Sequence, residues 1–133
     1  MKILESIHGA YMKTISTDNA PKAIGPYSQA VHHHHYVFTS GQIPLNPETG
    51  ELVSGDFKAE VLQVLKNLDA VLIASESSLK KAAKLTVFLT DLSNSAELNE
   101  VFISYFNDHL PARSLVQVSA LPMNARVEIE AIG

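Results

Sequence analysis

From Phe57 to Leu72, apolar residues fall at Phe57, Val61, Val64, Leu65, Leu68, Val71 and Leu72. Steps of three and four line one side of a helix. Lys58, Glu60, Gln63, Lys66 and Asn67 take the other side, so one face is expected to pack on a sheet and the other to meet water. A second helix is predicted from near Asn94 to about Asn107, with Leu98, Val101, Phe102, Tyr105 and Phe106 as its apolar stripe. Asn94 is a favoured N-cap residue, and Glu97 three positions on fits a capping box.

Elsewhere the pattern shortens. Val31 to Gln42 is rich in β-branched and aromatic residues and reads as a strand, followed by a turn at 44–50 with two prolines and a glycine. Residues 85–90, LeuThrValPheLeuThr, are too short for a helix and predict a buried strand. Pro111 enforces an extended approach to a strand at 114–118, and 121–125 turns the chain into a last strand at 127–132. Alternation there puts Val127, Ile129 and Ala131 on one face and Glu128, Glu130 and Ile132 on the other. Two acids sharing a face is ordinary in water and costly if buried. The predicted order is β-β-β-α-β-α-β-β, an α+β fold with both helices on one face of a mixed sheet.

No repeat or compositional shift divides the 133 residues, a length that supports one independent core. A single domain is expected over residues 12–133, with 1–11 as an extension outside the core that lacks a signal-peptide apolar stretch. The chain has no cysteine, which removes disulfides and thiolate chemistry and fits a cytoplasmic setting. No apolar run approaches the length that spans a bilayer, so no membrane partner is expected. A net charge of −4 supplies no basic field for nucleic acid.

Few constellations could carry chemistry. The chain offers Arg113 after a Pro-Ala turn, Glu128 with Glu130, Tyr27 after Gly-Pro, a Ser-Gly-Gln at 40–42, and His32, His33, His34 and His35 in a row. Along a strand, at most two of those histidines share a face, too few for a catalytic zinc. No metal site is expected. Without its flanks, Arg113 reads first as a surface ion-pair residue and the two glutamates as a solvated strand face, and Tyr27 is as readily a ring capping the core.

The segments 23–30 (AlaIleGlyProTyrSerGlnAla), 40–43 (SerGlyGlnIle), 86–92 (ThrValPheLeuThrAspLeu), 111–114 (ProAlaArgSer) and 127–132 (ValGluIleGluAlaIle) resemble the signatures of the RidA/YjgF family. The resemblance runs over about residues 12–132. It implies a chorismate-mutase-like fold, a homotrimer with a barrel-like centre, and ligand clefts between adjacent subunits. It also implies cofactor-free hydrolysis of 2-imino acids such as 2-iminopropanoate and 2-iminobutanoate to 2-keto acids and ammonia.

By position, Arg113 would bind the substrate carboxylate and Glu128 would hold the attacking water. Tyr27, Ser40 and Gly41 would line or border the cleft, the Leu115 backbone would donate to the ligand, and Asn99 would lie nearby. A guanidinium makes two parallel bonds to a carboxylate, which suits the first role. Two alternatives accompany this reading: a trimer that binds keto acids without turnover, and an endoribonuclease or translation inhibitor as described for some relatives, which the acidic balance disfavours. Two departures from the family pattern stand out. The four histidines occupy a segment that in relatives is a turn with Gly, Asn or Asp, and a glycine usual after the first helix is absent near Ser75 and Glu76.

Overall fold

The structure, a computed structural model, describes residues 4–5, 11–53 and 55–133. Among these residues seven strands form one sheet: β1 (Leu4–Glu5), β2 (Tyr11–Ile15), β3 (Ala30–His33), β4 (Tyr36–Thr39), β5 (Lys84–Leu89), β6 (Ala112–Gln117) and β7 (Val127–Ile132). Helix α1 (Phe57–Ala74) lies between β4 and β5 in the chain, and α2 (Ser95–Phe106) between β5 and β6. The spatial order is β1-β2-β3-β4-β7-β5-β6. Only β5 and β6 are parallel, as a helical crossover requires, and every other pair is antiparallel.

This is the predicted α+β order with the two-residue β1 added. Most of the expected extension, residues 1–3 and 6–10, lies outside the described residues, while Leu4 and Glu5 pair with Met12 and Tyr11. Among the described residues no helix is long and apolar enough to cross a membrane.

The apolar stripe of α1 packs as its spacing implies. Val61, Val64, Leu65, Leu68, Val71 and Leu72 are fully buried with Leu85, Val87, Leu89, Val127 and Ile129 of the sheet, each such side chain contributing about 1.5–3 kcal/mol. Asp56 caps the helix by accepting from the Lys58 backbone N–H at 3.2 Å.

The polar side departs from expectation, because Glu60 and Asn67 are buried rather than solvated. Asn67 Nδ2 donates to the Leu45 carbonyl at 2.9 Å, tying to α1 a second small core of Ile43, Leu45 and Ala125. Glu60 pairs with Arg126, whose guanidinium also donates to the Gly55 carbonyl at 3.1 Å. Amphipathic spacing cannot distinguish a solvated polar face from one covered by a loop.

Three further expectations are corrected. Val31–Gln42 is two strands rather than one, because His34 takes φ +55° and with His35 makes a hairpin turn. The histidine run is therefore half strand and half turn. His32 shares the helix face with Val37, its cross-strand partner, and His33 lies on the opposite face. At α2 the Asn94 side chain makes no capping bond, so the capping box with Glu97 does not form. Asp91 instead accepts from Ser93 N at 2.9 Å and caps a single 3-10 turn, Leu92–Asn94, that runs into α2.

The missing glycine after α1 leaves Glu76 itself at φ +65° while the Ser77 N–H closes on the Leu72 carbonyl at 2.9 Å. A residue with a Cβ is strained there and glycine is not. Glu76→Gly is expected to stabilise the fold by roughly 0.5–1 kcal/mol, read as a raised midpoint in chemical denaturation; a lowered midpoint would contradict it.

The helices cover one face of the sheet. On the other, Tyr36, Phe38 and Val116 are exposed at 57%, 44% and 42%.

Candidate functional site

Two groups of side chains draw together the residues expected from the sequence. The first lies at the edge formed by β6. Cross-strand partners share a face, and Arg113 pairs with buried Leu85, so Arg113 lies on the helix side. There the Asn99 side-chain oxygen accepts from Arg113 Nη1 at 2.9 Å, and the Phe102 ring centre lies 5.2 Å from the guanidinium carbon. Both come from the α2 face above the strand. A hollow of about 360 Å³ opens beside them, lined by Asn99, Phe102, Ile103, Leu110, Pro111 and Arg113.

Since β6 is the last strand, only one of its edges is paired among the described residues. The Ala112 and Val118 N–H groups bond on the β5 side, to the carbonyls of Ala83, just before that strand, and Leu89, its last residue. By alternation, the Leu115 N–H points to the open edge. The Leu115 side chain packs against the core, which separates it from that amide.

The second group lies on the uncovered face. Glu128 pairs with Phe88, one step out of phase with core residues Val87 and Leu89, so it points away from the helices. Gly41 lies against it because of an irregularity in the β4 edge. Phe38 pairs with Ile132 and Gln42 with Ile129, so four steps along one segment face three along the other. The extra residue makes a bulge. Ala131 N donates across it to Thr39 Oγ1 at 2.9 Å. A Cβ on Gly41 would stand 2.5 Å from Glu128 Oε2. The Glu128 carboxyl is thereby half-buried, and burial first, then the neighbouring Glu130 carboxylate, hold its pKa above the usual glutamate value.

A hollow of about 160 Å³ beside Glu128 is also lined by Tyr27, Gly41 and Pro122. The loop carrying Tyr27 is held by Gln29, whose side chain accepts from Thr17 N at 2.7 Å and donates to the carbonyls of Thr17 at 3.1 Å and Pro21 at 2.8 Å. Ser40 Oγ donates to the Ser28 carbonyl at 2.6 Å, so its hydroxyl fastens this loop to the end of β4.

Tyr27, Ser40, Gly41 and Glu128 are thus assembled in one place, and Arg113, Asn99 and Leu115 in another. One chain does not join them. Arg113 and Glu128 lie on opposite faces of the sheet with β5 between their strands, about 10 Å of sheet at ordinary strand spacing. Sequence reasoning missed Phe102, Gln29 and Pro122. Gln29 lies within the 23–30 signature, yet only its burial and its bonds to Thr17 and Pro21 make it a loop clamp, and the helical spacing of Phe102 marks it only as core. No group of three or more histidine, aspartate or glutamate side chains is arranged to hold a metal among the described residues.

The family model described as Endoribonuclease L-PSP matches residues 17–133. The chain is 48% identical over 120 residues to the 2-iminobutanoate/2-iminopropanoate deaminase of Mus musculus, covering 90% of this chain and 89% of the mouse protein. Other relatives are named only as RutC family proteins. Among solved structures, RidA from the Antarctic bacterium Psychrobacter sp. superposes with a TM-score of 0.87 at 50% identity, over 90% of this chain and 97% of that one. Escherichia coli TdcF with bound serine gives a TM-score of 0.87 at 45% identity, over 91% and 97%. With the signatures, the fold and these matches in agreement, the chain belongs to the RidA/YjgF family of Endoribonuclease L-PSP proteins.

Proposed function

We propose that this protein hydrolyses 2-imino acids, including 2-iminopropanoate and 2-iminobutanoate, to 2-keto acids and ammonia, in clefts completed between copies of the chain. The observation that carries this reading is the Glu128 carboxyl, half-buried against Gly41 and holding its proton more readily than an ordinary glutamate. A group that only bound a carboxylate would gain nothing from a second acid, whereas imine hydrolysis needs a proton acceptor beside water.

Arg113 grips the substrate carboxylate with the N–H groups that Asn99 does not take, helped by the outward Leu115 amide. Glu128 takes a proton from water as the water oxygen bonds to the iminium carbon. The proton is then delivered to nitrogen, and as the C–N bond breaks and ammonia leaves, the freed Glu128 carboxylate takes the remaining hydroxyl proton and the carbonyl forms. The protonated imine is already electrophilic, so position and one proton acceptor suffice.

Because Arg113 and Glu128 occupy opposite faces of one chain, a second copy brings its Glu128 face to the Arg113 edge. A heterologous contact of this kind forms a ring when its rotation closes, and we infer a homotrimer, which would also cover Tyr36, Phe38 and Val116. Light scattering showing a stable monomer of 14.5 kDa would remove the shared cleft. A net charge of −4 and a carboxylate at the site favour a small acid over an RNA backbone.

The test couples a threonine dehydratase to this protein and follows 2-ketobutanoate release in competition with an imine-trapping amine. Faster release than the spontaneous reaction is expected. Keto-acid binding with no acceleration would leave a binding protein in its place.

A further inference from the structure

The hollow beside Arg113 has one polar corner and one apolar wall. Asn99 and Arg113 form the corner; Phe102, Ile103, Leu110 and Pro111 form the wall. Two of these apolar side chains stand open to solvent, Ile103 at 65% and Leu110 at 59%. The backbone brings them there. Ile103 lies one turn beyond Asn99 on α2, so both project from the same side of the helix. Past α2, Asn107 takes φ +55° and Asp108 N closes on the Phe106 carbonyl at 2.6 Å, folding the chain back so that Leu110 returns to the hollow before Pro111 leads into β6. Exposed apolar side chains gathered beside a fixed cation form a surface that a ligand with an acid end and an apolar end would cover.

Resting on the proposed imine hydrolysis, we propose that Ile103 and Leu110 form a side-chain subsite that selects 2-imino acids with branched or long apolar chains over those with a methyl or an acidic chain. With the carboxylate fixed on Arg113, a methyl group is too short to cover the wall, whereas an isobutyl or thioether chain replaces water on it. A distal carboxylate would meet no cation on that wall and would lose hydration. Each methylene fully removed from water against such a surface is worth about fourfold in efficiency, so a partly covered isobutyl or thioether chain adds up to about tenfold.

The test uses imines generated by a flavin L-amino acid oxidase from alanine, leucine, methionine and glutamate, with kcat/KM measured for the intact protein, for Ile103→Ala and for Leu110→Ala. The leucine- and methionine-derived imines are expected to exceed the alanine-derived one by up to about tenfold, with the glutamate-derived imine poorest. Either substitution is expected to lower the leucine-to-alanine ratio severalfold. Both residues are exposed, so folding should persist, and thermal unfolding checks it. Equal efficiencies in the unsubstituted protein, an unchanged ratio in both variants, or a wall consumed as a subunit contact, seen as dissociation of the assembly by Ile103→Ala, would each overturn the subsite. If no imine is hydrolysed faster than in water, the underlying function fails instead.

Discussion

Replacing Arg113 with lysine is expected to lower kcat/KM for imino-acid hydrolysis by about ten- to a hundredfold or more while leaving the fold intact. The guanidinium is already engaged by Asn99 at 2.9 Å and lies over the Phe102 ring, so its plane is fixed before any ligand arrives. Lysine keeps the positive charge but cannot hold Asn99 and present two parallel donors together. Losing a charge-assisted pair costs about 1.5–3 kcal/mol, which sets the fold-change. Arg113 is exposed on an edge strand, so stability should move by no more than about 0.5 kcal/mol. Wild-type turnover by an intact Arg113→Lys assembly would mean that the carboxylate binds elsewhere.

Glu128→Gln should have the larger effect and a different signature. The amide matches the carboxylate in shape but accepts no proton, so kcat is expected to fall about 10²- to 10⁴-fold, while keto-acid affinity, which depends on Arg113, persists. Burial and Glu130 raise the Glu128 pKa, so the ionised form is lost at a higher pH than for an ordinary glutamate. The acid limb of kcat/KM in the unsubstituted protein should therefore lie above the ordinary value, vanish in Glu128→Gln and move downward in Glu130→Gln.

The sign for stability is opposite to that of a salt-bridged acid. A raised folded pKa favours the protonated form, so any contribution from Glu128 is present at low pH and disappears as pH rises through that pKa. At neutral pH Glu128→Gln should not destabilise the protein, and an unchanged or raised unfolding midpoint would check this. An acid limb that survived Glu128→Gln would assign the proton acceptor to another group.

These side chains were legible in the sequence to different depths. Helix α1 follows from seven apolar positions at helical spacing, and the final strand from alternation; both concern residues whose neighbours in sequence share one environment. Glu60 and Asn67 could not be read that way, since their burial depends on Arg126 and Leu45, which approach from far along the chain. The hairpin at His34 carried no glycine, asparagine or aspartate to announce it, and the capping signal at Asn94 and Glu97 was overridden by Asp91 one turn earlier. The site residues came from signature segments. Their division between two faces of the sheet came from strand order, which placed β7 inside the sheet and β6 at its rim.

The bulge before Gln42 also has a consequence for descent. With Glu128 Oε2 only 2.5 Å from where a Cβ on residue 41 would stand, no side chain enters position 41 while that carboxylate keeps its place. A lineage could leave glycine only by first shortening or turning away the acid, and so by giving up the chemistry proposed for it. A homologue carrying a larger residue at position 41 is therefore expected to have turned away or replaced the acid at position 128, whereas loss of the acid places no such demand on the glycine.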